Sequence, residues 1–274
     1  AHWLRLGASG FRLDVADELP DAFLDRVYQT VKSFGEDKII IGEVWEDASN
    51  KISYSERRTY FQGGELDSVM NYPLMSGIHD FFLDKSLGKE AFEYMVNRCY
   101  TMYMQQNNNV MFNLLDSHDT ERLMNRFKDL DIFYQQLAVL FTMPGSPCIY
   151  YGTEIALEGG HDPDCRRCMP WEELKNEENQ KRIELMKELI RMRKTHQSCR
   201  SLYFHFPNEY ENRRCVEYVK LDEAGRKLEV ILNCSDEKIE IHGTGEVLLS
   251  RNYQEGRLGP KGNLVRSWGI LTTR

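Results

Sequence analysis

The spacing of apolar and polar positions divides the chain into two parts. Up to about residue 196, short β-like runs alternate with stretches of helical period, which is typical of βα units. The strand candidates are residues 11–15, 39–43, 66–71, 110–115 and 148–151. Four helices are predicted to bury stripes formed by Phe23, Val27, Val31 and Phe34; Phe92, Val96, Cys99 and Tyr103; Phe133, Leu137 and Leu140; and Ile183, Met186 and Ile190. This part is therefore predicted to be α/β, with parallel strands.

After residue 197 the β-like runs follow one another closely. They lie at residues 215–221, 228–233, 238–242, 246–249 and 268–272, and Leu228, Val230 and Leu232 alternate with polar neighbours. Such alternation is typical of a half-buried antiparallel sheet. We therefore expect two domains, a βα domain over residues 1–196 and a small antiparallel β-sandwich over residues 197–274.

Five parallel strands are too few to close a barrel, and a complete (β/α)₈ barrel takes about 250 residues. A barrel thus requires strands that precede residue 1, whereas a doubly wound sheet does not. The two alternatives remain open on periodicity alone.

Composition and charge exclude some classes of protein. The 274 residues include 35 basic and 43 acidic side chains, a net charge of −8, and no Lys/Arg cluster of the kind that binds nucleic acid or anionic membranes. The longest apolar stretch, residues 137–151, is interrupted by Pro144, Gly145 and Pro147, so no transmembrane helix is predicted. The seven cysteines, an odd number in a chain of this size, favour a reducing compartment, and the cytoplasm is the expected location.

Acidic residues follow three of the predicted strands. Arg12 and Asp14 project to the same side, so the guanidinium is expected to keep Asp14 ionised, as a nucleophile requires. Glu43 ends the next strand, where Trp45 is expected to exclude water and favour a protonated general acid. His118 and Asp119 follow a later strand. Each residue also has a structural interpretation, namely a stabilising ion pair, a core histidine or a helix cap.

The coincidence of the three carboxylates favours catalysis. At the same end of three strands they would converge on one cleft, where barrel enzymes have their active sites. Two carboxylates with a charged neighbour suit glycoside hydrolysis, in which one carboxyl group is the acid/base and the other attacks the anomeric carbon.

Three motifs carry a resemblance to a known family. Residues 10–16 (GFRLDVA), 42–45 (GEVW) and 117–119 (SHD) resemble, in order and spacing, the second, third and fourth signature regions of the α-amylase superfamily, glycoside hydrolase family 13. Residues 66–74, 144–154 and 159–171 resemble its neopullulanase, cyclomaltodextrinase and maltogenic amylase subgroup. The resemblance implies strands four to eight of a (β/α)₈ TIM barrel followed by a C-terminal β-sandwich.

The resemblance also implies residue roles. Asp14 corresponds to the nucleophile, Glu43 to the general acid/base, and Asp119 to the carboxylate that stabilises the oxocarbenium-like transition state. Glu18 matches an acidic residue of the subgroup four positions after the nucleophile, where it shapes acceptor binding. The implied substrate-binding residues are Arg12, His118, Glu18 and Trp45.

The implied activity is that of a retaining α-glucan hydrolase. It cleaves α-1,4 bonds, with α-1,6 bonds as a further option, in maltooligosaccharides, cyclomaltodextrins, starch or pullulan, and it also transglycosylates. The alternatives are another specificity of the family, such as an α-1,6-glucosidase or a trehalose-forming enzyme, and a non-catalytic glycan-binding relative. The three carboxylates favour an enzyme.

No cofactor is expected. Cys165, Cys168 and His161 lack an adjacent fourth zinc ligand, so no metal site is predicted, and any family calcium site is expected upstream. The family's first signature has no counterpart here. We therefore expect the C-terminal part of a longer polypeptide, whose partners are the N-terminal half of the barrel, an α-glucan substrate and, for the complete enzyme, a second copy.

Overall fold

The computed structural model describes residues 1–270, with side chains through Trp268. The α-helices are α1 (His2–Arg5), α2 (Asp21–Lys32), α3 (Tyr72–Leu83), α4 (Lys89–Thr101), α5 (Gln105–Asn108), α6 (Leu123–Phe127), α7 (Leu130–Thr142) and α8 (Glu177–Thr195). The strands are β1 (Gly10–Leu13), β2 (Ile39–Gly42), β3 (Ile52–Ser53), β4 (Glu56–Arg57), β5 (Ser68–Val69), β6 (Phe112–Asn113), β7 (Ser146–Pro147), β8 (Phe204–His205), β9 (Cys215–Leu221), β10 (Arg226–Asn233), β11 (Ile239–Glu240), β12 (Glu246–Gln254) and β13 (Arg257–Ile270).

A row of parallel strands organises the first part. β1, β2 and β5 form one parallel sheet, β6 and β7 form another, and a parallel bridge between Met70 and Phe112 connects the two. The predicted parallel βα organisation is confirmed. All five carboxyl ends face the same edge, so residues that follow these strands are brought together.

The two outermost strands of this row, β1 and β7, each have one strand neighbour within the described residues. Trp3 and Leu6, near β1, are 62% and 67% exposed. Unpaired strand edges and exposed apolar side chains promote association. We expect the 274 residues expressed alone to aggregate or unfold, as size-exclusion chromatography and thermal melting will show. A monomeric preparation that melts cooperatively would contradict this prediction.

The predicted helical stripes are confirmed for α7, where Phe133, Leu137 and Leu140 are buried. On α2 the stripe was partly wrong, because Leu24 and Val31 are buried whereas Phe23 is 49% exposed. On α8, similarly, Leu189 is buried and Ile190 is 38% exposed. Helix α3 was missed. Its buried residues surround much of the helix, so no polar face marks the period. No helix within residues 1–270 combines the length and the apolar character needed to cross a membrane.

Two strand predictions need correction. Residues 148–151 are not a strand; β7 lies at Ser146–Pro147, where the Ser146 N–H donates to the Met111 carbonyl at 2.7 Å. Gly145, at φ 100°, turns the chain into this position, and the apolar run after it was misleading. β1 ends at Leu13 rather than residue 15, because Val15 has a left-handed φ of 42°.

The second part is an antiparallel sheet, as predicted. Its order is β11-β13-β10-β9-β8, and β12 pairs with β13. β13 begins well before the predicted run at 268–272, of which residues 271 and 272 lie outside the described residues. One face contributes Tyr218, Val230 and Val265 to a core shared with α7 and α8, and the other face carries a smaller cluster. The described strands of this part form one six-stranded sheet, so the predicted sandwich stays a prediction. The core also includes residues on both sides of residue 196, so the domain boundary stays a prediction too.

Candidate active site

The site begins at the carboxyl ends of β1 and β2. These strands pair in parallel, with Leu13 opposite Gly42. Asp14 and Glu43 are the residues that follow, so the register places the two carboxylates side by side. The Glu43 N–H donates to the Leu13 carbonyl at 2.9 Å, and the Ala16 N–H donates to the Glu43 carbonyl at 3.0 Å. The backbone thus fixes the spacing of the two residues.

Arg12 binds both carboxylates. Its Nη1 lies 2.5 Å from Asp14 Oδ1, and its Nη2 lies 2.9 Å from Glu43 Oε1. The prediction that Arg12 and Asp14 share a side of the strand is confirmed. A planar guanidinium that binds two carboxylates holds them in one geometry and offsets their mutual repulsion.

The two carboxylates differ in exposure. The Asp14 side chain is 75% exposed, and that of Glu43 is 5% exposed. Glu43 Oε2 accepts from the Val15 N–H at 2.9 Å, and Oε1 accepts from Trp45 Nε1–H at 3.2 Å. The predicted proximity of Trp45 to Glu43 is confirmed. Trp45 lies next to the Glu43 carboxylate and also donates a hydrogen bond to it. Glu43 is therefore fixed in orientation, while Asp14 is open to a ligand.

Val15 makes this arrangement at a conformational cost. A β-branched residue rarely adopts φ 42°, and such backbone strain collects at functional sites. The turn at Val15 ends β1 and aims the N–H of this residue at Glu43 Oε2. Strain here serves to orient a site carboxylate.

Asp119, the third carboxylate, contacts the side chains of His118 and Arg166. His118 Nε2 lies 3.0 Å from Asp119 Oδ2, and Arg166 Nη2 lies 2.9 Å from Oδ1. Arg166 Nε–H also donates to the His118 carbonyl at 2.9 Å. The sequence analysis missed Arg166, although its position within the 159–171 motif was a signal that could have identified it.

Tyr72 connects Asp119 with the first two carboxylates. This buried residue stacks on Trp45, with ring centroids 4.3 Å apart. Burial, together with the negative charges of nearby Glu43 and Asp119 and against a hydrogen bond with Ser117, raises the pKa of Tyr72 to about 12. A neutral phenol therefore lies among the site residues. The sequence analysis assigned Tyr72 no role, although it directly follows the predicted strand 66–71.

Glu18 follows the turn at Val15, and its N–H donates to the Val15 carbonyl at 3.0 Å. It accepts a hydrogen bond from the Tyr54 hydroxyl, next to the β3–β4 hairpin. Its contacts within the described residues do not include Asp14, Glu43 or Asp119. Direct contacts thus join Arg12, Asp14, Glu43 and Trp45 in one group and His118 and Asp119 in another, with Tyr72 near both groups. The acceptor-binding role of Glu18 stays a prediction.

A buried polar layer supports the Asp119 loop. Asp116 accepts from the Leu123 N–H at 3.0 Å and from Thr153 Oγ1 at 3.0 Å. The Arg122 guanidinium packs against the rings of both Tyr150 and Tyr151, 4.4 and 4.7 Å from their centroids, and donates to the Cys165 carbonyl at 2.8 Å. Arg122 thereby anchors the loop that carries Arg166.

Asp116 is expected to make stability depend on pH. Burial raises the pKa of this fully buried carboxyl group from 3.8 to about 6. Between these two pKa values the folded state retains a proton that the unfolded state has lost. The contribution of protonated Asp116 to the free energy of unfolding is therefore complete below pH 4 and is lost as pH rises through about 6. The wild-type protein should lose roughly 3 kcal/mol of unfolding free energy through Asp116 across this range, and Asp116→Asn should not show this loss. Urea unfolding of both proteins from pH 4 to 7.5 measures the difference; parallel stability curves would contradict the prediction.

The cysteine-rich loop has a different contact from the one a zinc site needs. Cys165 Sγ–H donates to the His118 carbonyl at 3.1 Å. Within residues 1–270 no group of three or more His, Cys, Asp or Glu side chains is arranged to hold a metal ion. Cys165 therefore supports the His118–Asp119 backbone directly.

A row of parallel βα strands with convergent carboxylates at its carboxyl edge is the active-site architecture of barrel-type enzymes. Residues 1–215 match the family model described as alpha amylase, catalytic domain. The chain belongs to the α-amylase family.

Within this family, the chain is similar to enzymes that act on α-glucans by name. The chain is 39% identical over 235 residues to a cyclomaltodextrinase of a Bacillus species, covering 85% of this chain and 40% of the relative. It is 42% identical over 193 residues to neopullulanase 2 of Thermoactinomyces vulgaris, covering 70% and 31%. The maltogenic amylase from S. marinus superposes with a TM-score of 0.80 at 27% identity, covering 97% of this chain and 36% of that structure. The chain spans less than half the length of these relatives.

Proposed function

We propose that this chain carries the nucleophile and the general acid/base of a retaining α-glucan hydrolase. The observation that carries the proposal is the single Arg12 guanidinium that binds Asp14 and Glu43 together. In retaining glycosidases the two carboxyl groups lie about 5–5.5 Å apart, whereas inverting enzymes leave about 6.5–9.5 Å for a water molecule. Two carboxylates on one guanidinium favour the shorter spacing.

The first step uses the exposure difference. A carboxylate oxygen of Asp14 attacks the anomeric carbon, and the bond to the leaving oxygen breaks as Glu43 gives that oxygen a proton. In the second step Glu43 takes a proton from water, whose oxygen attacks the same carbon and releases Asp14. An acceptor sugar hydroxyl in place of water gives transglycosylation. Tyr72 and Trp45 help to keep water from the buried acid.

The proposed substrates are maltooligosaccharides and cyclic maltodextrins, with α-1,4 cleavage as the main reaction. Support comes from the relatives named cyclomaltodextrinase and neopullulanase 2. A second specificity, at α-1,6 bonds, is supported by a cyclic α-maltosyl-(1→6)-maltose hydrolase from Arthrobacter globiformis that superposes with a TM-score of 0.80 at 25% identity, covering 97% of this chain and 57% of that structure. The double displacement needs two carboxyl groups and water, so we propose that no cofactor takes part.

We further propose that the chain acts within a longer polypeptide that supplies the other barrel strands. The two open strand edges and the greater length of the relatives support this assignment. A cytoplasmic location is supported by a relative named intracellular maltogenic amylase, from Bacillus subtilis, 40% identical over 195 residues. A calcium site upstream and a homodimer remain part of the proposal.

The proposed activity is tested with the complete polypeptide on maltotriose, a cyclic maltodextrin and pullulan, with cellobiose as the β-linked control. We expect new reducing ends from the α-linked substrates and none from cellobiose. Release of maltotriose from pullulan, without hydrolysis of free maltotriose, would favour the α-1,6 specificity. Absence of turnover on all α-glucans by a folded protein would contradict the proposal.

Asp119→Asn is expected to lower kcat by about 10²-fold or more, because Asp119 stabilises charge that develops in the transition state. The loss should be similar for a natural glucan and for a maltosyl fluoride, since proton transfer is not involved. Steady-state kinetics on both substrates measure it. A loss confined to the natural glucan would reassign Asp119 to proton transfer.

A further inference from the structure

A second cleft lies between helices α3 and α4 and the loop that follows β2. Its volume is about 490 Å³, and it is separate from the groups that bind Asp14 and Asp119. Two or more residues from each of these three segments line it, among them Trp45, Asp47, Ser76, Asp80, Tyr94 and Arg98.

The sequences of the two helices explain the shape of the cleft. Ser76 and Asp80 are four residues apart on α3, and Tyr94 and Arg98 are four apart on α4, so each pair lies on one helix face. At Gly77 an added Cβ would lie 2.3 Å from Met95 Cγ. Glycine at this position therefore lets α3 and α4 approach closely and form the floor of the cleft.

The chemistry of the lining fits a neutral polyhydroxyl ligand. Tyr94 is 69% exposed and offers an aromatic face. Across residues 1–270, the side chains of Asp80 and Arg98 form no hydrogen bond or ion pair, although both are exposed at the cleft. Three carboxylates against one guanidinium disfavour an anion, whereas carboxylates accept from hydroxyl groups and a guanidinium donates to them. Apolar walls with a few polar groups are typical of small-molecule sites.

Trp45 connects this cleft with the proposed active site. The indole N–H donates to Glu43 Oε1, and the same side chain, 47% exposed, lines the cleft. Trp45 therefore borders both the Glu43 carboxylate and the space between α3 and α4. This continuity distinguishes the cleft from four other cavities of the described residues, whose linings do not include Trp45.

We propose that the α3–α4 cleft binds a distal segment of an α-glucan, beyond the sugars that contact Asp14 and Glu43. Glucose rings present C–H faces to Tyr94 and hydroxyl groups to Asp80 and Arg98. The inference rests on the proposed function, because it takes its ligand class from that function. It assigns to this surface a preference for long chains over short ones.

Methionine methyl groups provide separate reporters. Met70 Sδ lies 3.4 Å from Arg12 Nε and reports on the active site, while Met95 and Met102 line the cleft. Buried Met192 is the reference. The experiment titrates the ¹³C-methyl-methionine form of the Glu43→Gln polypeptide with maltose and with maltohexaose. We expect both sugars to shift Met70, maltohexaose alone to shift Met95 and Met102, and neither to shift Met192.

Variants of Tyr94 test the assignment further. Tyr94→Ala should weaken maltohexaose binding about tenfold and leave maltose binding unchanged, because a well-packed aromatic contact carries energy of that order. Tyr94→Phe, which keeps the ring, should retain binding within about twofold. Tyr203→Ala, at an exposed tyrosine outside the lining of the cleft, is the matched control and should have no effect.

The outcomes separate the two proposals. Shifts of Met70 without any shift of Met95 and Met102 overturn the cleft assignment and leave the proposed active site standing. The cleft would then be free to bind another occupant, such as a protein segment. Equal weakening of both sugars by Tyr94→Ala also overturns the cleft assignment. Shifts of Met95 and Met102 without Met70 support the cleft and contradict the proposed active site.

Discussion

Asp14→Asn is expected to reduce turnover by about 10⁴-fold or more on every substrate, including an activated glycosyl fluoride. The amide cannot attack the anomeric carbon, so no covalent glycosyl-enzyme forms. Asp14 is 75% exposed, and its partner Arg12 also binds Glu43, so the substitution should leave the fold intact. The wild-type polypeptide treated with a 5-fluoroglycosyl fluoride should gain the mass of one glycosyl group on the peptide that contains Asp14.

The variant itself is the control for this labelling and should gain no mass. Circular dichroism and thermal melting check that it is folded. Azide rescue of Asp14→Asn with retained anomeric configuration would show that another residue is the nucleophile, because retention requires two successive displacements.

Glu43→Gln is expected to lose activity according to the leaving group. Natural glucans need a proton on the leaving oxygen, so turnover should fall by about 10²–10⁴-fold, the range of general acid catalysis. A maltosyl fluoride needs little protonation and should still glycosylate Asp14. Glutamine matches glutamate in size but keeps one acceptor oxygen, whereas Val15 and Trp45 donate to different oxygens of Glu43, so circular dichroism and thermal melting check that this variant is folded.

Added azide should then accelerate deglycosylation of Glu43→Gln, because azide needs no general base. The product should be a glycosyl azide with retained configuration. Rates on maltosyl fluoride with and without azide measure this effect. Equal impairment of Glu43→Gln on the fluoride and on maltotriose would mean that Glu43 is not the acid/base.

Local sequence patterns predicted much of the site. Arg12 and Asp14 are two positions apart on a strand, so their common side follows from the strand period, and the ion pair confirms it. Glu43 and Asp119 were identified because each follows a strand whose carboxyl end faces the same edge. The antiparallel strand β9 was predicted with its observed bounds, since apolar alternation and turns define it locally.

The residues that were missed depend on contacts distant in sequence. Arg166 reaches Asp119 across 47 positions, and Tyr72 reaches Trp45 through stacking that no local period shows. The shifted stripe of α2 has a similar cause, because the position of the core decides which of two adjacent apolar residues, Phe23 or Leu24, is buried. The apolar pattern of the sequence predicts that a segment is helical, whereas packing against the core decides which face of the helix is buried.

The stereochemistry of the first product tests the central claim most directly. Proton NMR of maltotriose hydrolysis at high enzyme concentration detects the new reducing end before mutarotation mixes the anomers. Double displacement on Asp14 and Glu43 predicts that the α-anomer appears first and the β-anomer follows at the rate of mutarotation. Initial appearance of the β-anomer would show single displacement by water and would contradict the assignment of Asp14 as nucleophile.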